Sequence, residues 1–287
     1  MKGIVTGAVG GFFYVAESDG KQHRCQVRGR IQEQIYPGDR VIVSDNMVED
    51  LIPRDNLLPR PRVANVSVVN IMFSVSEPEM DFQLLDRFLL LVKAADFTPV
   101  IYINKLDLNP DFPREEENKI FAYRNAGFRL YIFSVKEETH LSNVKKSFQG
   151  GINVMAGPSG VGKSALINKL IPDADLELGE VSNKLKRGRH TTRQVKLLQL
   201  PEGGWVADSP GFTSLSLDHL YPGEVQISFP EFTNYQNECH FSSCTHTHEP
   251  DCAIKKAVEF GKIPQFRYDS YCNLYKIVEE EGGPEYD

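Results

Sequence analysis

Gly157-Pro158-Ser159-Gly160-Val161-Gly162-Lys163-Ser164 stands between an apolar run, Ile152–Ala156, and a stretch with helical spacing, Lys163–Leu170. The octapeptide fits G-x-x-x-x-G-K-[ST], and a strand before it with a helix after it is the context that gives the pattern meaning. Its glycines let successive backbone N–H groups curl around a phosphate chain at a helix N-terminus, where the peptide dipoles favour negative charge. The reading assigns Gly157, Pro158, Ser159, Gly160, Val161, Gly162, Lys163, Ser164 and Ala165 to nucleotide contacts. Lys163 is expected to reach the β- and γ-phosphates and to assist catalysis, and Ser164 to ligate Mg²⁺. A glycine-rich turn without a ligand is the plain alternative.

Upstream, Asn104-Lys105-Leu106-Asp107 closes the apolar run Pro99–Ile103. That is the carboxyl end of a strand, where open α/β sheets bind ligands. The Asp107 carboxylate can accept from guanine N1 and from the exocyclic N2, a donor pair that adenine lacks, so the pattern predicts selection of GTP and GDP. Four residues are a weak signal alone, and a strand-end turn capped by an Asp is the competing reading. Ser134-Val135, at the end of the next predicted strand, would supply backbone amides to the guanine O6.

Downstream, Asp208-Ser209-Pro210-Gly211 follows the apolar strand Trp205–Ala207. There Asp208 would hold Mg²⁺ through water, and the Gly211 N–H would sense the γ-phosphate. Between Lys184 and Arg193 lies a basic stretch with His190, Thr191, Thr192 and no acid. One of the two threonines should complete the Mg²⁺ shell; a solvated basic loop is the bland reading. Phe212 occupies the place where many GTPases carry a water-orienting glutamine, so intrinsic hydrolysis should be slow, with His190 or a partner's group positioning the water.

The order of these motifs is unusual. The guanine reader precedes the phosphate loop, whereas ordinary small GTPases have them reversed, so the sequence predicts a circularly permuted P-loop GTPase domain. Permutation is tolerable where the original termini lie close together and the new cut falls in a surface loop.

The flanks differ from this α/β centre. Residues 1–62 read as five short strands, Gly3–Gly7, Gly11–Glu17, Lys21–Arg28, Asp39–Ser44 and Met47–Ile52, which suggests an OB-type barrel. Pro53, Pro59 and Pro61 mark a linker. Residues 63–223 carry the strand–helix rhythm of a parallel sheet, including a helix Asp81–Ala95 capped by its Asp. Residues 224–287 are loop-like before a last helix near Tyr268–Glu280. In this segment Cys239-x₄-Cys244-x-His246-x₅-Cys252 offers three thiolates and one imidazole, the set of a closed structural Zn²⁺ site. His240 and His248 are nearby competitors, and free cysteines or a disulfide are the alternative. Cys25 and Cys272 stand alone and read as packing residues.

A net charge of −7 argues against a uniformly basic nucleic-acid binder, so RNA contacts would have to be local. Arg24, Arg28 and Arg30 cluster on one predicted strand and its exit, beside Phe12, Phe13 and Tyr14. Alternation puts Phe13 on the face opposite Phe12 and Tyr14, so at least one aromatic is core. The arginines are either an RNA contact or a solvated face. The glycines at 7, 10 and 11 and a single basic residue disfavour a signal peptide, and no run is long enough to span a membrane. A cytoplasmic location is expected.

The permuted motifs, the barrel and the Cys/His pattern together make the chain, from about Gly3 to Val278, closely similar to the RsgA family of permuted GTPases that depend on the small ribosomal subunit. The resemblance implies a late assembly factor whose GTP hydrolysis that subunit stimulates, with ribosomal RNA as the barrel's partner; a monomer is expected. It also implies a phosphate-site histidine within Gly188–Thr192, a hydrophobic residue at Phe212, and zinc on Cys239, Cys244, His246 and Cys252. The competing reading is a GTP-gated RNA-binding module acting on another RNA or on the large subunit.

Overall fold

The computed structural model describes residues 1–109, 113–174, 176, 195–208 and 216–281. Two compact units emerge. Unit 1 comprises Met1–Glu79, Tyr102–Asn109 and Tyr131–Ser214; unit 2 comprises Met80–Ile101, Pro110–Leu130 and Leu215–Asp287.

Unit 1 begins with a closed barrel of β1 (Lys2–Val9), β2 (Phe12–Ala16), β3 (Gln22–Val27), β4 (Arg40–Ser44) and β5 (Met47–Leu51), in the order β1-β2-β3-β5-β4. The barrel closes because β1 pairs antiparallel with both β2 and β4, while β3 meets β5 in parallel. Asp45 and Asn46, both at positive φ (51° and 56°), make the two-residue turn between β4 and β5. Alternate positions point inward, so Val5, Val15, Cys25, Val41 and Val48 fill the interior. Phe13 packs against that interior and is the aromatic given up to the core.

The proline-marked linker is in fact structured. Leu57–Pro59 (β6) and Arg62–Ala64 (β7) form an antiparallel hairpin, with Pro59 opposite Arg62. Prolines argue against a central strand but are tolerated at an edge or strand end, which is where these lie. The hairpin fastens the barrel to the strand that begins at Val66: Asn56 exchanges two hydrogen bonds with Val66 (2.8 and 2.9 Å), and the Asn65 amide donates to Gly38 O at 2.8 Å.

The second sheet contains β8 (Val66–Ser74), β9 (Pro99–Asn104), β10 (Arg129–Ile132), β11 (Ile152–Ala156), β12 (Lys196–Gln199) and β13 (Trp205–Asp208), in the order β10-β9-β8-β11-β13-β12. The runs β9 and β11 are buried throughout, as strands covered on both faces should be. The expected parallel sheet needs one correction: β11 is parallel to β8 and β13, but β12 runs antiparallel to β13. β12 and β13 are joined by a short Gly203-Gly204 turn, and a connection this short permits only antiparallel pairing. Helix α1 (Phe82–Ala94) starts on Asp81, whose Oδ1 accepts from the Leu84 N–H at 2.9 Å; α2 is Arg114–Asn125, α3 Leu141–Ser147 and α4 Lys163–Leu170.

The carboxyl-terminal part of unit 2 carries 3₁₀ turns between Pro222 and Glu238, then α5 (Ala253–Glu259) and α6 (Gln265–Glu281). Its apolar centre includes Leu90, Leu217, Phe229, Phe232, Ile254 and Val278. Within it Arg267 is fully buried and ion-paired to the equally buried Asp86, donates to Glu231 Oε1 at 2.7 Å and lies over the rings of Phe229 and Tyr123.

Candidate functional site

In unit 1 the carboxyl ends of β8, β9 and β11 place three loops together. Gly157 ends β11 at φ +122°, and a Cβ there would lie 2.0 Å from Met72 O, so only glycine lets the loop rest on β8. Gly162 caps α4 at φ +100°, and its missing side chain leaves room for the Asn104 amide, 2.5 Å from where a Cβ would stand.

Asn104, 3% exposed, is the junction. Its Nδ2 donates to Val161 O in the phosphate loop at 2.9 Å, while its Oδ1 accepts from the Val135 N–H at 3.0 Å. One side chain thus joins the reader strand, the phosphate loop and the Ser134 loop. Ser134 Oγ donates to Asp107 Oδ1 at 2.6 Å and accepts from the Glu137 N–H at 3.0 Å, so it orients the Asp107 carboxylate. Lys136 Nζ stands 4.0 Å from the other Asp107 oxygen. Lys105, at φ 62°, donates through its ammonium to Glu77 O. The Lys163 ammonium donates to Gly157 O at 2.8 Å and Pro158 O at 2.5 Å, and burial lowers its pKa to about 8. Ser164 and Ala165, the second and third residues of α4, are half-buried behind it, and Ser159 and Gly160 are exposed at the loop tip.

Sequence reasoning assigned these residues but missed two features. The bridging use of the Asn104 amide was one; its burial at the end of an apolar strand was the available signal. The Glu77 carbonyl was the other, and no side-chain pattern marks it. His190, Thr191, Thr192, Gly211 and Phe212 lie outside the described residues, as does the side chain of Asp208, whose backbone ends β13.

In unit 2 the ligand atoms of Cys239, Cys244, His246 and Cys252 lie within 4.8 Å of one another. Cys239 Sγ is 3.9 Å from Cys252 Sγ, and His246 Nδ1 is 3.5 and 3.4 Å from those two sulfurs. A tetrahedral zinc with bonds of about 2.3 Å to sulfur and about 2.0 Å to nitrogen has edges of about 3.5–3.8 Å, so the donor set and its spacing fit that ion. Burial pushes the Cys244 thiol up to about 12 and the His246 imidazole down, so both are held neutral, and the ion would have to displace the thiol protons. The Cys/His loop is braced by Tyr268 and Tyr271 of α6, which donate to His246 O and Thr245 O at 2.8 and 2.7 Å. His240 instead stands edge-on to Phe241, and His248 Nδ1 lies 3.0 Å from Thr247 Oγ1.

The arginines of the barrel are less free than their spacing suggested. Arg28 and Arg30 both pair with Glu49, at 2.7 and 3.3 Å, and the Arg24 guanidinium lies over the Phe12 ring at 3.6 Å from its centroid.

Residues 51–218 match the family model described as RsgA GTPase. The chain belongs to the RsgA GTPase family. A protein of Moorella thermoacetica named small ribosomal subunit biogenesis GTPase RsgA is 43% identical over 290 residues, covering 98% of this chain and 99% of its own. One of the same name from Carboxydothermus hydrogenoformans is 40% identical over 98% of this chain and 99% of its own. Among solved structures, YloQ, described as a circularly permuted GTPase, is 34% identical with a TM-score of 0.81, covering 99% of this chain and 96% of that one. YjeQ from Thermotoga maritima is 33% identical with a TM-score of 0.81 over 97% and 98% of the two chains. As an RsgA-family member the chain is a GTP hydrolase with permuted motifs, and the family implies Mg²⁺ with its GTP. Among the described residues no helix is long and apolar enough to cross a membrane.

Proposed function

We propose that this protein acts in the cytoplasm as a monomeric late assembly factor of the small ribosomal subunit, binding its RNA and hydrolysing GTP under the subunit's stimulation to time its own release. The name shared by its relatives supports the setting, and the Asn104 junction carries the chemistry. That one amide ties the base-reading loops to the phosphate loop, so Asp107 selects guanine in the same pocket where Lys163 meets phosphate.

The roles divide by position. Asn104, Lys105, Asp107, Ser134 and Val135 hold the base, and Gly157 through Ala165 hold the phosphates. A phosphate oxygen replaces the carbonyls of Gly157 and Pro158 around the Lys163 ammonium, converting a hydrogen-bonded cation into a paired one. Ser164 and Asp208, with Thr191 or Thr192, supply the hard oxygen ligands that suit Mg²⁺, which neutralises phosphate charge when bound. Gly211 senses the γ-phosphate, and His190 or a group from the subunit orients water that Phe212 cannot. The four Cys/His donors hold a structural Zn²⁺ that staples the loop between Cys239 and Cys252. The three parts 1–62, 63–223 and 224–287 are accordingly read as RNA contact, switch and metal-braced segment.

The test is GTP turnover with and without isolated small subunits, with ATP, large subunits and free RNA as controls. Stimulation by small subunits alone is expected. Equal stimulation by large subunits or by free RNA would point to a GTP-gated RNA binder and overturn the assignment.

A further inference from the structure

The turn of the β6–β7 hairpin, Pro59-Arg60-Pro61-Arg62, combines fixed backbone with free charge. Pro61 is buried and anchors the turn, while Arg60 and Arg62 are exposed. Two prolines around Arg60 fix φ on either side, so little conformational freedom remains to be lost on binding. Behind the turn stands Tyr36, whose ring centroid is 5.6 Å from the Arg62 guanidinium and 5.1 Å from that of Arg54. Arg62 Nη1 also donates to the Tyr36 hydroxyl at 3.3 Å. The neighbouring carboxylates are already engaged, Asp39 by Arg54 at 3.0 Å and Asp55 by Arg40 at 2.7 Å, and no ion pair to Arg60 or Arg62 is present among the described residues. The contrast with the barrel face is direct, because there Arg28 and Arg30 both pair with Glu49, which offsets one of their two charges.

We propose that Arg60 and Arg62, backed by Tyr36 and Arg54, form a phosphodiester-binding surface for RNA, and that this surface contributes more to RNA affinity than Arg28 and Arg30. The inference rests on the reading that the chain binds RNA. A guanidinium presents a planar fork that matches phosphate oxygens, and the hydrogen bond from Arg62 to the Tyr36 hydroxyl holds that fork beside the ring before contact. An arginine without a carboxylate partner releases RNA counterions at full effect, whereas one already paired must first surrender its partner.

The experiment is a fluorescence-anisotropy titration of the full-length protein with labelled single-stranded RNA between about 50 and 200 mM salt. The double variant R60A/R62A is expected to reduce the slope of log affinity against log salt by about 1.4, about 0.7 for each lost phosphate contact. R28A/R30A should reduce it by less than half as much, and R60K/R62K should keep the slope while weakening binding. Thermal melting and basal GTP turnover should be unchanged in all three. A wild-type slope in R60A/R62A overturns the inference while leaving RNA binding intact, whereas a wild-type protein that binds no RNA overturns the underlying reading as well. If R60A/R62A loses binding to small subunits but not to naked RNA, the surface meets an acidic protein and the RNA assignment fails.

Discussion

In unit 1 a neutral amide, Asn104, cross-links three loops through two backbone groups; in unit 2 a cation, Arg267, cross-links two carboxylates and a carbonyl. Both side chains are buried, yet the energetics differ. Each bond of the amide contributes about 1 kcal/mol net, so the loops it joins can shift when a ligand offers better partners. The charged cluster has no such freedom. Burial opposes the Arg267 charge, but Asp86, Tyr123 and Glu231 outweigh it and push its pKa up, and removing one member strands the others in a dry interior. The loops around Asn104 are therefore joined by neutral bonds, each of small net energy, and unit 2 by a charged cluster whose members depend on one another.

The largest effect should come from breaking the charged node. Arg267→Ala is expected to lower unfolding free energy by about 3–5 kcal/mol in urea denaturation, because Asp86 and Glu231 lose their counter-charge. A loss under 1 kcal/mol would show that the cluster is not a fastening. Asn104→Ala should act on the other quantity: GDP affinity falls by about 2 kcal/mol, roughly thirtyfold, since the Val135 N–H and the Val161 carbonyl lose their partner. Calorimetry of the variant that found wild-type affinity would remove the amide from the site. The smallest effect is a pH dependence. Lys163 titrates at about 8 in the free protein because it is buried, and phosphate favours its charged form. Nucleotide affinity should thus be flat below pH 8 and fall with rising pH above it, by at most tenfold per pH unit, as the free enzyme must take up a proton to bind. Nucleotide titrations from pH 7 to 9.5 check this, and Lys163→Arg, which stays charged, should flatten the curve.

Much of this was legible in the sequence where periodicity and special residues coincide. Ile152–Ala156, apolar apart from Asn153, became a central strand with its expected ends, and Val66–Ser74, apolar apart from Ser67, Asn70 and Ser74, became its parallel neighbour. Asp81 announced α1 because a capping carboxylate before a helical apolar pattern has few other uses. The Cys/His cluster was legible because three thiols and an imidazole in fourteen residues, Cys239 to Cys252, are rare in a chain with five cysteines. The Pro53–Pro61 stretch misled because the hairpin there is made by register and by Asn56 and Asn65 clasping the backbone, and neither depends on strand propensity. Helix α5 went unread because it is seven residues long and starts on Cys252 without a side-chain cap. The division of α1 and α2 from the sheet's other residues depends on long-range packing such as Arg267 with Asp86, 181 positions apart, which no local window contains.

The sheet order also determines when each piece can form on a growing chain. All five strands of the barrel have been synthesised once Leu51 is made, so it can close before the sheet's strands are complete. Strand β8 comes almost at once but must wait for β11: Ser67 Oγ accepts from the Ile152 N–H across 85 positions. Until then its buried edge is open to any other strand, a hazard that an unpermuted relative, making the phosphate-loop strand first, meets in a different order. Asn104 is thus made 57 positions before the Val161 carbonyl that its amide later holds.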